Sequence, residues 1–152
     1  MKEQLIKNLE CKILNGRQLH NDERILLEGK FDSKLFPIEI IDLLSTYNII
    51  GQTFFISEDD DPTGLGVDME WFTPAAQVEE AFEYFPGSLV VQNGYLPVGM
   101  CLSGSGDPYF LKTIDQKYGL FRVPHDAINE GSYDYDSVEF ICMLDELFDS
   151  IV

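Results

Sequence analysis

The chain has 152 residues, with 10 Lys and Arg against 27 Asp and Glu, a net charge of −17 at neutral pH. That length fits one domain able to bury roughly 70% of its unfolded surface, and 45% hydrophobic residues are too many for a disordered acidic chain. The acidity argues against a nucleic-acid binder, because phosphate recognition needs clustered Lys and Arg.

Residues 2–15 read as an amphipathic helix, with Leu5, Ile6, Leu9, Ile13 and Leu14 on one side and Gly16 as its stop. Asn21 or Asp22 caps a short helix through Leu27, ended by Gly29. Pro37 then opens a third helix whose stripe is Ile40, Ile41, Leu44 and Tyr47, with Asn48 closing it in the left-handed conformation. After Gly51 the period changes. The run 51–56 reads as a short strand, and Val67, Met69 and Trp71 alternate with Asp68, Glu70 and Phe72 as a half-buried one. Thr73-Pro74 starts a helix burying Val78, Ala81, Phe82 and Phe85, stopped by Pro86-Gly87, with Glu79, Glu80 and Glu83 on its solvated face.

Strands are expected at 89–91 and 95–102, joined by a hairpin at Asn93-Gly94. Further strands fall at 109–113 and 120–123, with a turn at Tyr118-Gly119 between them. Residues 125–134 read as loop. A capping box at Asp136–Glu139 begins a last helix, with Phe140, Ile141, Leu144, Leu147, Phe148 and Ile151 buried. The pattern predicts one α+β domain over 1–152. Its antiparallel or mixed sheet has about five or six short strands, flanked by N-terminal helices, a central helix and a C-terminal helix. Residues 1–30 form an N-terminal helical segment, either packed on the domain or peripheral to it, and residues 31–152 an acidic core domain.

The charge is uneven. Residues 1–30 hold six basic and five acidic side chains, so the remaining 122 carry −18, and no Lys or Arg occurs between Lys34 and Lys112. Such a field raises encounter with a cationic partner by ~10–1000-fold, and it also serves solubility. Three cysteines at 11, 101 and 142 suggest neither a disulfide framework nor a zinc site. The first fourteen residues lack the continuous apolar run and small-residue cleavage site of a signal peptide. No apolar run reaches the ~18–20 residues of a membrane span. A cytoplasmic location is expected, with neither nucleic acid nor membrane as partner.

Asp59–Glu70 fits the register of an EF-hand calcium loop, with Asp59, Asp61 and Thr63 at positions one, three and five, Gly64 at six and Glu70 at twelve. A strand-like approach, Pro62, and Gly66 at the hydrophobic anchor position favour an acidic surface loop instead. Ser103-Gly104-Ser105-Gly106 lacks the first glycine of a nucleophile elbow and reads as a turn. His20 and His125 read as solvated. Trp71 is either a core residue or an interface anchor.

Leu96-Pro97-Val98-Gly99 followed by Gly106-Asp107-Pro108-Tyr109-Phe110 resembles the core of the SUKH superfamily, bacterial immunity proteins related to fungal cell-wall synthesis regulators of the Smi/Knr type. Leu35-Phe36-Pro37 with Tyr47-Asn48, Trp71, Phe85-Pro86-Gly87, and the 120–125 segment ending in His125 follow in similar order. The resemblance implies an α+β fold without catalysis that binds a protein, often a secreted nuclease toxin. The expected function is therefore an immunity-type domain that neutralises a basic toxin by contact, with an endogenous regulatory or scaffolding partner as the alternative. Neither a catalytic residue, a metal nor a cofactor is expected. The expected contact surface is Glu58, Asp59, Asp60 and Asp61, with Trp71 and the turn carrying Ser103, Ser105 and Asp107 as weaker candidates.

Overall fold

In the computed structural model, which describes residues 2–103, 106–129 and 131–151, the amphipathic start forms α1 (Lys2–Glu10) and stops five residues short of the expected end. A tertiary contact intervenes. Arg17 and Ile50 exchange backbone hydrogen bonds of 2.8 and 3.0 Å, and the Asn15 N–H donates to the Gln52 side chain at 2.6 Å. The approach is close enough that a Cβ on Gly16 would strike the carbonyls of Asn48 and Ile50. Gly16 is therefore a packing position rather than a helix stop. Of the two placements open to residues 1–30, the structure has them packed on the domain, with Leu5, Leu9, Leu19 and Leu27 buried in the main core.

In α2 (Asn21–Lys30) His20, not Asn21 or Asp22, is the capping residue, and the helix continues through Gly29. The Glu23 carboxylate accepts the His20 N–H at 3.0 Å and both Arg17 guanidinium nitrogens at 2.7 and 2.8 Å. Helix α3 (Ile38–Thr46) buries Ile40, Ile41, Leu43 and Leu44. It ends at an extended Tyr47, and the left-handed residue is Gly51, not Asn48.

Strand β1 (Thr53–Ile56) pairs with β2 (Val67–Trp71), which alternates strictly between buried and half-buried residues as its sequence predicts. The Thr73 hydroxyl accepts the Ala76 N–H at 3.2 Å and starts α4 (Pro74–Phe82). The buried face of α4 is Pro74, Gln77 and Ala81, while Phe82 and Phe85 stand exposed. Gln77 fits inside because its amide donates to the Pro97 carbonyl at 2.9 Å.

Residues 89–93 are not a hairpin strand. They belong to α5 (Gly87–Val90) and a following 3-10 turn, in which Gly94 supplies a left-handed terminus. The Asn-Gly pair thus ends a helix instead of reversing a strand. Then come β3 (Leu96–Cys101), β4 (Tyr109–Ile114) and β5 (Lys117–Arg122). The β4–β5 turn is Asp115-Gln116, with φ of +50° and +67°. Tyr118-Gly119, expected as the turn, lies inside β5, where the buried Tyr118 hydroxyl donates to the Glu39 carboxylate.

A two-residue ribbon, β6 (Ile128–Asn129) with β7 (Ser132–Tyr133), interrupts the expected loop. The expected last helix is half strand. Asp134 caps a 3-10 turn, β8 (Glu139–Met143) pairs with β5, and only α6 (Leu144–Asp149) is helical. Strand pairing prevails there because β5 has a second row of amides and carbonyls that a helix cannot satisfy. The resulting antiparallel sheet has the order β1-β2-β3-β4-β5-β8.

The main core lies between one face of this sheet and α1, α3 and α6, with Phe54, Trp71 and Phe148 packed ring against ring. A smaller core of Val90, Tyr95, Phe110, Val123 and Tyr133 forms separately. The architecture is α+β, and no helix among the described residues is long and apolar enough to cross a membrane.

Candidate functional site

The sequence TFFI places Phe54 inward, 1% exposed, and Phe55 outward, 67% exposed, as alternation along a strand demands. Phe55 lies opposite Asp68 on β2. Beyond β1 the chain makes a tight acidic turn. The Asp60 N–H donates to the Ser57 carbonyl at 3.0 Å and the Ser57 hydroxyl to the Asp60 carboxylate at 2.9 Å. Glu58, Asp59 and Asp60 are left exposed.

Three hollows meet at Phe55. One of about 430 Å³ is lined by Phe55, Glu58, Asp59, Leu65, Asp68 and Ser103. A second, about 500 Å³, runs from Phe55 and Ile56 past Asp60 to Glu146 and Asp149. A third, about 270 Å³, joins Phe55 to Ile13 and Asn15. The structure therefore brings the expected Glu58, Asp59, Asp60 and Ser103 around one exposed aromatic ring. A wider cleft of about 770 Å³ lies elsewhere, but it mixes Lys2 and Lys34 with Glu39 and has no single sign of charge.

Asp61 does not belong to that surface. Its side chain is fully buried and faces the Arg122 guanidinium at 3.5 Å. Arg122, 3% exposed, also donates to the Thr63 hydroxyl at 2.9 Å and the Gly66 carbonyl at 2.6 Å, and its guanidinium lies 5.5 Å from the Tyr109 ring. Arg122 thus staples the β1–β2 connection, with its acidic turn, onto β5. The same contacts dismantle the calcium register. Asp61 accepts from the Thr63 N–H and hydroxyl at 2.9 and 2.6 Å, so positions three and five bond to each other and to Arg122. Glu70 is held in β2 opposite Thr53. Among the described residues no group of three or more His, Cys, Asp or Glu side chains is placed to hold a metal.

Trp71 is 1% exposed inside the core and presents no surface to a partner, which corrects its reading as an anchor. Asp107 accepts the His125 backbone N–H at 2.9 Å and pairs with its imidazole, holding the His125 pKa above the ordinary value. This pairing locks the 106–108 segment to the start of the 125–127 turn, and His125 was expected to be merely solvated. Ser103 lies by Cys101, with 3.2 Å between Oγ and Sγ. Ser105 lies outside the described residues.

Glu80, expected on a solvated face, is half-buried, and burial pushes its carboxyl up to about 7 while the Gly87 N–H, donating to it at 3.1 Å, pulls the other way. Sequence reading missed Phe55, Leu65 and Arg122. Phe55 had one signal, an apolar residue at an outward register position. Arg122 had another: it is the lone arginine of an acidic core segment.

The site is an acidic, aromatic-centred surface along the edge strand of an antiparallel sheet. The chain matches no protein-family model, no curated protein and no solved structure.

Proposed function

We propose that this chain is a non-catalytic protein-binding domain of the immunity type, cytoplasmic, which neutralises a basic toxin domain by stoichiometric contact at the groove around Phe55. The observation that carries this reading is an excess of negative charge around an exposed apolar centre. Glu58, Asp59 and Asp68 lie around Phe55 and Leu65, and Asp60 and Glu146 on the other side of Phe55, where Lys12 pairs with the neighbouring Asp149 at 3.9 Å, in a chain without Lys or Arg between positions 34 and 112. Acid around an aromatic is the complement of a cationic surface with apolar gaps, and a nuclease that grips phosphates presents such a surface. The SUKH resemblance, carried by Gly106–Phe110 and the order of elements, supports the same role.

Co-expression with the toxin encoded by an adjacent gene tests the proposal. Cells should survive only when the chain is present, and the purified pair should associate at least ~10-fold more slowly at 0.15 M than at 0.01 M salt, as the Debye length falls from ~30 to ~8 Å. Absence of any toxin gene beside this one, together with failure to bind any cationic protein, would overturn it.

A further inference from the structure

We infer that the outer edge of β1 is a strand-addition site, and that the partner inserts there an extended segment carrying Lys or Arg on both of its faces; this rests on the protein-binding reading above. The edge is defined by hydrogen-bond parity. The Trp71 N–H donates to the Gln52 carbonyl at 3.0 Å, and the register continues as Phe54 with Met69 and Ile56 with Val67. Bonded pairs alternate in an antiparallel ladder. The amides and carbonyls of Phe54 and Ile56 therefore face β2, and those of Thr53 and Phe55 point away from the sheet. The Thr53 carbonyl takes the Gln52 side-chain amide at 2.8 Å, which leaves the Thr53 N–H and both Phe55 backbone groups aimed outward.

Proteins ordinarily guard such an edge with lysine, proline, a bulge or a covering element. Thr53-Phe54-Phe55-Ile56 has no charge and no proline, and a bulge, where Gly51 (φ +84°) and Gln52 both bond to Trp71, precedes it and leaves its ladder with β2 in unbroken register. The two flanking hollows suit the alternating side chains of an added strand. One hollow offers Glu58, Asp59 and Asp68, and the other Asp60 and Glu146 beside an Asp149 already paired with Lys12, so a strand lying on β1 still meets carboxylates on either side. Charge selects the occupant. A second copy of this chain would bring a net −17 and the same acidic rims against themselves, whereas a basic segment is attracted from both faces.

The test uses the full chain, isotope-labelled, with the capped peptide acetyl-Lys-Val-Arg-Lys-Val-Arg-Lys-amide as probe. A control peptide of the same sequence is methylated at alternate backbone nitrogens, which keeps the charge and removes strand pairing. Expected are amide shifts at Thr53–Ser57, slowed hydrogen exchange at Thr53 and Phe55, and at least tenfold weaker binding of the methylated peptide. Phe55→Pro deletes an outward N–H without removing a bond to β2 and should abolish the slowed exchange at Thr53, whereas Phe55→Thr should retain it. If Phe55→Pro fails to fold, the methylated peptide still decides. Shifts at Glu58–Asp60 and Asp68 that ignore methylation would overturn strand addition while leaving an acidic binding groove. Shifts that avoid this region altogether would overturn both. Concentration-dependent dimerisation abolished by Phe55→Pro would overturn the basic occupant in favour of a second copy.

Discussion

Replacing Arg122 with Met should be among the more damaging single changes in this chain. The guanidinium side chain is 4% exposed and the Asp61 side chain is fully buried. Removing one member of a buried pair leaves the other charge without its counter-ion, at a cost of ~3–5 kcal/mol. Asp61 would keep only the Thr63 N–H and hydroxyl, and the Gly66 carbonyl would lose its 2.6 Å donor. Asp61→Asn is milder, because Arg122 retains Thr63, Gly66 and Glu139, the last at 3.9 Å, and about 1–3 kcal/mol is expected. The double variant Arg122→Met with Asp61→Leu removes both charges together and should recover much of the loss. Urea unfolding followed by the emission of Trp71, the only tryptophan, measures all three. With a slope of ~2 kcal/mol per molar urea, the Arg122→Met midpoint should fall by ~1.5–2.5 M. A fall below ~0.5 M, or strict additivity in the double variant, would refute the buried pair as the clamp on the acidic turn.

Burial raises the Glu80 carboxyl to about 7, so its protonated form favours the fold: stability is greatest below the ordinary 4.5 and is lost as pH rises through 4.5 to 7. Glu80→Gln should therefore be more stable than the parent by ~1–3 kcal/mol at pH 8, with the gain vanishing near pH 4; a pH-independent difference would count against the buried carboxylate. Glu23 runs the other way. The Arg17 hydrogen bonds hold its carboxyl at about 2, so its stabilisation is present above 4.5 and is lost as pH falls toward 2. Discounted for solvent screening at this surface pair, Glu23→Gln should cost ~0.5–1 kcal/mol at pH 7, shrinking toward zero as pH falls through 2, in the same urea assay. Asp59→Asn with Asp60→Asn should slow association with a cationic partner several-fold while the unfolding midpoint stays within ~0.3 M of the parent; an unchanged on-rate would remove these two groups from the steering field.

The candidate site was half legible in the residues. A run of carboxylates without nearby basic groups is solvated by default, and Glu58, Asp59 and Asp60 are exposed. Asp61, identical in chemistry and adjacent in sequence, is buried because Arg122 reaches it from β5, and no local pattern carries that information. Trp71 follows the opposite logic. Its alternation with Asp68 and Glu70 already marked an inward face, and the structure fills that face with Phe54 and Phe148.

Local chemistry by itself determined the elements whose signals are self-contained: the i, i+3, i+4 stripe of 38–46, the Thr73-Pro74 helix start, the two-residue period of 67–71, and a helix-and-strand alternation that makes an α+β domain. Tertiary structure decided the segments whose backbone groups find partners far away. Residues 11–17 leave the helix for Ile50 and Gln52, residues 87–93 turn helical where a strand and hairpin are expected, and residues 139–143 abandon a helical period to pair with β5. It also decided that β1 is an edge. Pairing order in a sheet depends on contacts between distant strands, and a strand's own sequence records which face is apolar but not whether a neighbour lies on each side.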